Sequence, residues 1–458
     1  MTAPARPRYV PPHPPRGPGP VPVWRGFFGE RARTSVYGWS RQAFVQDHIR
    51  RNVLGWTVHV PLDPAAVQHV LLDNAANYAK PEPVKAILAP VIGRGLLTAD
   101  GALWRDQRRI VAANFVPAAV EALVPSFARA AEAAAAAWPA SGVVDMARAA
   151  TETTLTVIAD ALFGGDPRLR TAEGMRHIEA ALAGVSEARL PALLGLPVIG
   201  WNARIRAGQR GQAYLRETLS AVVRDRLPDG GGDDFLGRLV RMLRERFAPD
   251  EAFALAVDNA ATFYLAGHET TANALSWALF LLAEQPDLQA EAAAEARAAL
   301  AAGTDDPALP DRLPLLRAVI DETLRLYPPA PRFDRQALGP DRLGGREVAK
   351  GDIVSIWPWI LHRHSALWDD PDAFDAHRFL PGAAAAERHR FQYLPFGAGP
   401  RVCVGARFAI VEALVILATW LARHHFSPLP GREVQVSGMV TLRPKGGLPL
   451  RVRNRENC

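Results

Sequence analysis

The sequence predicts a mainly helical α+β protein with small β-sheets, organised as one large domain around a long central helix. Three observations predict it. Residues 250 to 285 read as a single helix whose interior is nearly all apolar or small, which sends it through the middle of a core. Short alternating segments of strand character fall towards both ends of the chain, with helical patterns between them. After residue 26 the only glycine cluster is Pro228 to Asp234, short enough for a surface loop, so nothing marks a second domain.

Composition narrows the function classes. The 458 residues are 49% hydrophobic and 22% charged, a soluble globular balance with ample core. The net charge of +6 comes almost wholly from arginine, because the only lysines are Lys80, Lys85, Lys350 and Lys445. No arginine run with interleaved aromatics appears, which argues against a nucleic-acid partner and leaves an acidic protein as the better one. The N-terminus lacks the apolar segment of a signal peptide, and the longest apolar run, Ala413 to Ala422, is shorter than the roughly 20 residues of a membrane span. A cytoplasmic protein without a membrane span is expected. Only two cysteines occur, Cys403 and Cys458, which fits a reducing compartment.

The elements follow in chain order. Residues 1–25 are proline-rich, with Pro11, Pro12, Pro14 and Pro15 closely spaced, and read as an extended, flexible tether ahead of a catalytic domain over 26–458. Trp56-Thr57-Val58-His59-Val60 alternates as a strand. Trp104 and Arg108 stand four apart, hence on one helix face. The long helix opens on Asp250 and Glu251 after Pro249 and stops at Gln285-Pro286. At its centre lies Ala266-Gly267-His268-Glu269-Thr270-Thr271, where a carboxylate and two hydroxyls are costly to bury without a purpose. Those residues can also loosen the helical ladder into a kink, while His268 is expected to bond locally. Residues 313 to 327 form a second helix ended by Pro328-Pro329, with Glu322 and Arg325 three apart on one face.

Gly351 to Ile356 reads as a strand that pairs with Arg346-Glu347-Val348. The tail carries strand signals at Val440-Thr441-Leu442 and Leu450-Arg451-Val452 around Gly446-Gly447. Between these lies the most informative segment, Phe396-Gly397-Ala398-Gly399-Pro400-Arg401-Val402-Cys403-Val404-Gly405, which runs into a helix from Val404 to Arg423. A lone thiol at a helix N-terminus is favoured as thiolate, and glycines let backbone approach a flat ligand.

The spacing Phe-x-x-Gly-x-Arg-x-Cys-x-Gly resembles the haem-ligand loop of the cytochrome P-450 family, and Ala-Gly-His-Glu-Thr-Thr resembles its oxygen-activation motif. The resemblance extends over roughly residues 25 to 455. It implies that Cys403 is the axial thiolate on the iron of haem b, that Thr270 hydrogen-bonds dioxygen and that Glu269 relays protons. It further implies that Trp104, Arg108, Arg335 and Arg401 bind haem propionates, and that Ala266, Phe396, Gly397 and Gly405 adjoin the cofactor. Glu322 and Arg325 resemble the family's Glu-x-x-Arg, whose distant partner is here Arg378 in Ala376-His377-Arg378-Phe379, where many relatives have Pro-Glu before the Arg-Phe.

The implied activity is that of a monooxygenase acting with O2 on an apolar fatty acyl, terpenoid or carotenoid-like substrate. No flavin or iron–sulfur segment follows Cys403, so electrons must come from a ferredoxin or flavodoxin with an NAD(P)H-dependent reductase, docking near Arg401 and Arg407. A peroxide-driven peroxygenase and a non-enzymatic haem-thiolate sensor or carrier are the alternatives; Glu269 and Thr270 argue against both. The access region is expected in the loop from Lys80 to Leu97, with Ile87, Leu88, Val91, Ile92 and Leu96, and around Leu182 to Leu196, with Leu190, Leu193 and Leu194.

Overall fold

A computed structural model describes residues 9–19, 21–22, 34–187, 191, 194–196, 200, 202–227, 232, 234–383, 388–438 and 440–455. Its longer helices are α1 (Glu82–Ile92), α2 (Gly101–Ala112), α3 (Val124–Ala136), α4 (Met146–Phe163), α5 (Ala172–Glu187), α6 (Ala203–Arg224), α7 (Phe235–Arg246), α8 (Pro249–Ala283), α9 (Pro286–Leu300), α10 (Pro314–Leu326) and α11 (Ala406–Arg423). Helix α8 is the axis of the molecule. It packs against α4, α6, α7, α10 and α11 and is buried along most of its length, as its apolar circumference demands. Helix α11 is buried almost throughout, so the apolar run Ala413 to Ala422 is core. Among the described residues no single helix is long and apolar enough to cross a membrane.

The strands are β1 (His48–Val53), β2 (Trp56–Pro61), β3 (Tyr78–Ala79), β4 (Ser141–Asp145), β5 (Phe333–Ala337), β6 (Asp341–Leu343), β7 (Arg346–Val348), β8 (Ile353–Ile356), β9 (His424–Ser427), β10 (Val436–Ser437), β11 (Arg443–Pro444) and β12 (Pro449–Asn454). The largest sheet has the order β1-β2-β8-β5-β3, and only its β2–β8 pair is parallel. Strands β4, β12 and β9 form a second sheet.

Two strand expectations are corrected. Strand β8 does not pair with 346–348, because β7 folds back on β6 through Gly344 and Gly345, whose φ values of 54° and 81° suit a tight two-residue hairpin. Strand β8 is instead flanked by β2 and β5. Val440-Thr441-Leu442 is not a strand but the connection between β10 and β11. The access segment 80–97 is likewise largely helical, as α1, and α11 begins at Ala406, two residues later than expected. Most of Pro228 to Asp234, together with Leu190, Leu193 and Cys458, lies outside the described residues.

Glu322 and Arg325 form a buried, two-pronged ion pair at 2.6 and 2.7 Å, both side chains fully buried. The remaining guanidinium hydrogens go to the carbonyls of His362, Pro371 and Ala373. Arg378 Nε lies 3.5 Å from Glu322 Oε1, which completes the expected triad. Its partners satisfy charges that would otherwise be very costly to bury. The stretch 9–17 is extended, and it packs on the body of the protein: Tyr327 Oη donates to Pro12 O at 2.7 Å, and Arg16 pairs with Asp372 at 2.5 Å.

Candidate functional site

The loop before α11 is built by close approach. Gly399 has φ 71°, and a Cβ there would meet Leu71 O at 1.8 Å, so only glycine fits. Cys403 N donates to Phe396 O at 2.9 Å and Val402 N to Gly399 O at 3.1 Å, closing the loop on itself. Cys403 is exposed, yet protein surrounds its thiol closely enough to resist ionisation. Burial pushes the thiol pKa up; the Gly405 N–H and the charge of Arg108 oppose that shift.

Helix α8 shows the complementary feature. Residues before Ala266 and after Thr270 are buried, whereas Ala266 is exposed and Glu269 and Thr270 are partly so. Ala266 and Thr270 are four apart and share a face. The other side of the helix is sealed by α4: Thr154 Oγ1 donates to His268 O at 3.0 Å, and a Cβ on Gly267 would meet Ile158 at 2.6 Å. His268 Nδ1 bonds Tyr264 O at 2.6 Å, which is the local role expected of it. The helix is continuous through this segment, and Thr270 Oγ1 donates to Ala266 O at 2.8 Å. Phe115 connects helix to loop: its ring centroid is 5.8 Å from that of Phe263, and it is the nearest neighbour of a Cβ on Gly405, at 3.9 Å.

A cluster of cations, one buried and the rest half-buried, marks the rim. Arg401 stacks on Trp104 at 4.5 Å, donates to Ala99 O at 3.0 Å and pairs with Asp100. Arg335 is 6% exposed, and burial and then the charge of Arg401 lower its pKa to about 10. Lys80 was not singled out in the sequence, yet burial, then Arg335 and Arg401, lower its pKa to about 7. The carboxylates around Lys80 are Asp100, already shared with Arg401 and Lys85, and Asp334, which accepts from Ser355 Oγ at 2.5 Å. A surplus of largely covered positive charge is unfavourable by itself and suits an anionic ligand. Two propionates near the Cys403 thiol would answer that demand, so the residues present fit a haem.

Arg401 has a side chain only 15% exposed, and so it does not present a docking charge. Arg407 is about half exposed and pairs with Glu121.

The cytochrome P450 family matches over residues 15–448. The chain belongs to that family. The chain is 34% identical to cyclooctatin synthase of Streptomyces melanosporofaciens over 390 residues, covering 84% of each. It is 29% identical to echinocystic acid 23-monooxygenase of Saponaria officinalis over 403 residues, covering 82% of this chain and 76% of that one. The crystal structure of the cytochrome P450DA heme domain superposes with a TM-score of 0.81 at 26% identity, covering 98% of this chain and 99% of the other. The protein is thus a cytochrome P450 monooxygenase with the P450 α+β fold. As a P450 it uses a cysteine-ligated haem iron, O2, a hydrophobic substrate and a redox partner.

Proposed function

We propose that this P450 hydroxylates or otherwise oxidises a terpenoid-like substrate with haem b ligated by Cys403 and electrons from a separate ferredoxin or flavodoxin in the cytoplasm. The observation that carries the reading is the glycine-closed loop that presents Cys403 within reach of the charge of Arg108, with Arg401 stacked on Trp104 and the charge of Arg335 close to it. Bound there, a haem supplies oxygen activation by a thiolate-ligated iron. In the overall reaction a substrate C–H, O2, two electrons and two protons give the hydroxylated product and water.

The chain's own residues account for the rest. Trp104, Arg108, Arg335, Arg401 and Lys80 would hold the haem propionates. Ala266, Phe396, Gly397 and Gly405 leave room for the haem. Thr270, partly exposed on the face it shares with Ala266, carries a hydroxyl that could exchange its bond to Ala266 O for one to dioxygen, and Glu269 would supply protons. Helix α1 and the end of α5 border the access route, and Leu194 is exposed in the segment that follows.

Support for the substrate class comes from relatives such as cyclooctatin synthase. The decisive experiment is the spectrum of the reduced, carbon monoxide-bound protein. The thiolate-type band is expected in the native chain and absent in Cys403→Ser; an unchanged band in the variant sinks the ligand assignment. Turnover with a ferredoxin system against turnover with peroxide separates the monooxygenase from a peroxygenase.

A further inference from the structure

The loop that carries Cys403 is buttressed by a distant segment. A Cβ on Gly399 would strike Leu71 O, and Leu72 Cα would come next, at 3.6 Å. Leu71 sits in a π-helical turn, His69–Asp73, that follows a short helix over Pro64–Gln68. Asn74 N closes the turn by donating to His69 O, five residues back, at 2.8 Å. Such turns are rare and recur at functional sites. A single carboxylate holds this one. Asp341 of β6 takes His69 Nε2 on both oxygens at 3.0 Å, Asn74 Nδ2 at 3.1 Å, Tyr78 Oη at 2.6 Å and Arg342 N at 2.8 Å. His69 and Asn74 are the two residues that the π bond joins. In an α-helix five residues turn the chain through about 500°, which leaves the two side chains about 140° apart. The wider π turn brings them round to one acceptor. Burial raises the Asp341 pKa, but the bonds from Tyr78, the Arg342 amide, His69 and Asn74 outweigh it, so the group is a carboxylate.

We propose that Asp341 is a positioning residue for the haem-ligand loop: it selects the π turn over an α turn, and the π turn sets the Leu71 carbonyl against Gly399. This deepens the reading of Cys403 as iron ligand and rests on it. Gly399 O is the acceptor of one bond that closes the loop, from Val402 N, and Gly399 lies within the span of the other, from Cys403 N to Phe396 O. A displacement of Leu71 therefore reaches Cys403 through Gly399. The far end of the same segment is tied to the same stretch of chain. Asn77 Nδ2 donates to Gly339 O at 3.2 Å, Leu338 N donates to Asn77 O at 2.8 Å, and β3 pairs with β5 immediately before Lys80. Without the carboxylate, the turn is free to tighten to the more favourable α form, the Leu71 carbonyl withdraws, and Gly399 is released from its φ of 71°.

The test reads amide hydrogen exchange in segments 69–78 and 396–405 of the full chain by mass spectrometry. Asp341→Asn puts an amide donor where an acceptor is needed, and His69→Leu removes one bond of the clamp at a partly exposed position. Both are expected to speed exchange in both segments by roughly ten-fold, whereas His69→Gln keeps a donor and retains native exchange. Native exchange in both segments of Asp341→Asn overturns the clamp. Faster exchange in 69–78 with native exchange in 396–405 overturns the link to the loop. Equal acceleration along α8 makes Asp341 a stabiliser of the whole fold and overturns the proposal too. In the holoenzyme, the reduced, carbon monoxide-bound protein is expected to lose its thiolate-type band roughly ten-fold faster in Asp341→Asn and at the native rate in His69→Gln. A native rate beside faster loop exchange overturns the positioning of the thiol. His69→Leu carries both readouts should Asp341→Asn fail to fold. The exchange arm needs no haem, so it decides the clamp even where a missing thiolate band has already sunk the reading of Cys403.

Discussion

At Gly399 the tolerance of the site is measured in tenths of an ångström. Its positive φ and the Leu71 carbonyl at 1.8 Å from a would-be Cβ leave no low-energy place for alanine. Gly399→Ala is expected to lower stability by at least ~2 kcal/mol in denaturant titration and to reduce haem retention. Removing one partner from the Glu322–Arg325 pair is a comparable insult: Glu322→Ala leaves a fully buried guanidinium uncompensated, with an expected loss of about 3–5 kcal/mol. Cys403, Trp104, Arg108 and Arg401 can be proposed from the sequence because each sits at a fixed offset within a short motif. Lys80 cannot, since nothing local to Tyr78-Ala79-Lys80-Pro81 distinguishes it; only the fold brings it to Arg335 and Arg401, 255 and 321 positions away. The contacts of Glu269 with Thr441 and Arg443 are hidden for the same reason, because those partners lie more than 170 residues downstream.

Elements were legible where their period was long. Helix α8 was anticipated to within two residues at each end, because an apolar circumference over 35 residues admits no other structure. The pairing of β8 was misassigned because short strands carry a pattern but no address for their partner. What the sequence left unseen between elements is the clasp at Asp258 on α8. Its carboxylate accepts from the amide of Arg94 at 2.7 Å and from Arg216 Nη1 on α6 at 3.0 Å, while neighbouring Asn259 accepts from Leu96 N at 3.0 Å. One residue thus joins the segment after α1 to α6 across the central helix. Asp258→Ala is expected to speed amide exchange at Arg94 by roughly ten- to a hundred-fold. Arg216→Ala should loosen α6 and leave Arg94 protected; equal protection of α6 in both native and variant protein would show that the ion pair contributes nothing.

Buried histidines make the molecule sensitive to acid. His59 Nε2 bonds Asp352 at 3.1 Å and its other nitrogen meets His48 Nε2 at 3.1 Å, while His362 lies fully buried beside Arg325. Burial is the first cause of each depression: His48 falls to about 4 and His362 to about 3, and His59 falls below its ordinary value. These rings fold neutral, so their stability is fully present above about pH 6.5 and is lost as pH falls towards 4. For His48 alone the loss is about 3 kcal/mol, and His48→Gln is expected to flatten the fall of the denaturation midpoint across that window. Deleting residues up to Arg16 tests a different long-range tie, since it strips Pro12 O from Tyr327 and the cation from Asp372; a lower Tm is expected. The β10–β11 hairpin carries the last consequence. Because Thr441 and Arg443 reach Glu269 and Leu442 is bonded to Trp277, residues 436–444 are not an interchangeable module. A chimaera that imports this hairpin from another P450 to alter what is accepted imports a new setting for Glu269 with it, and a library that randomises position 441 or 443 selects on both traits at once.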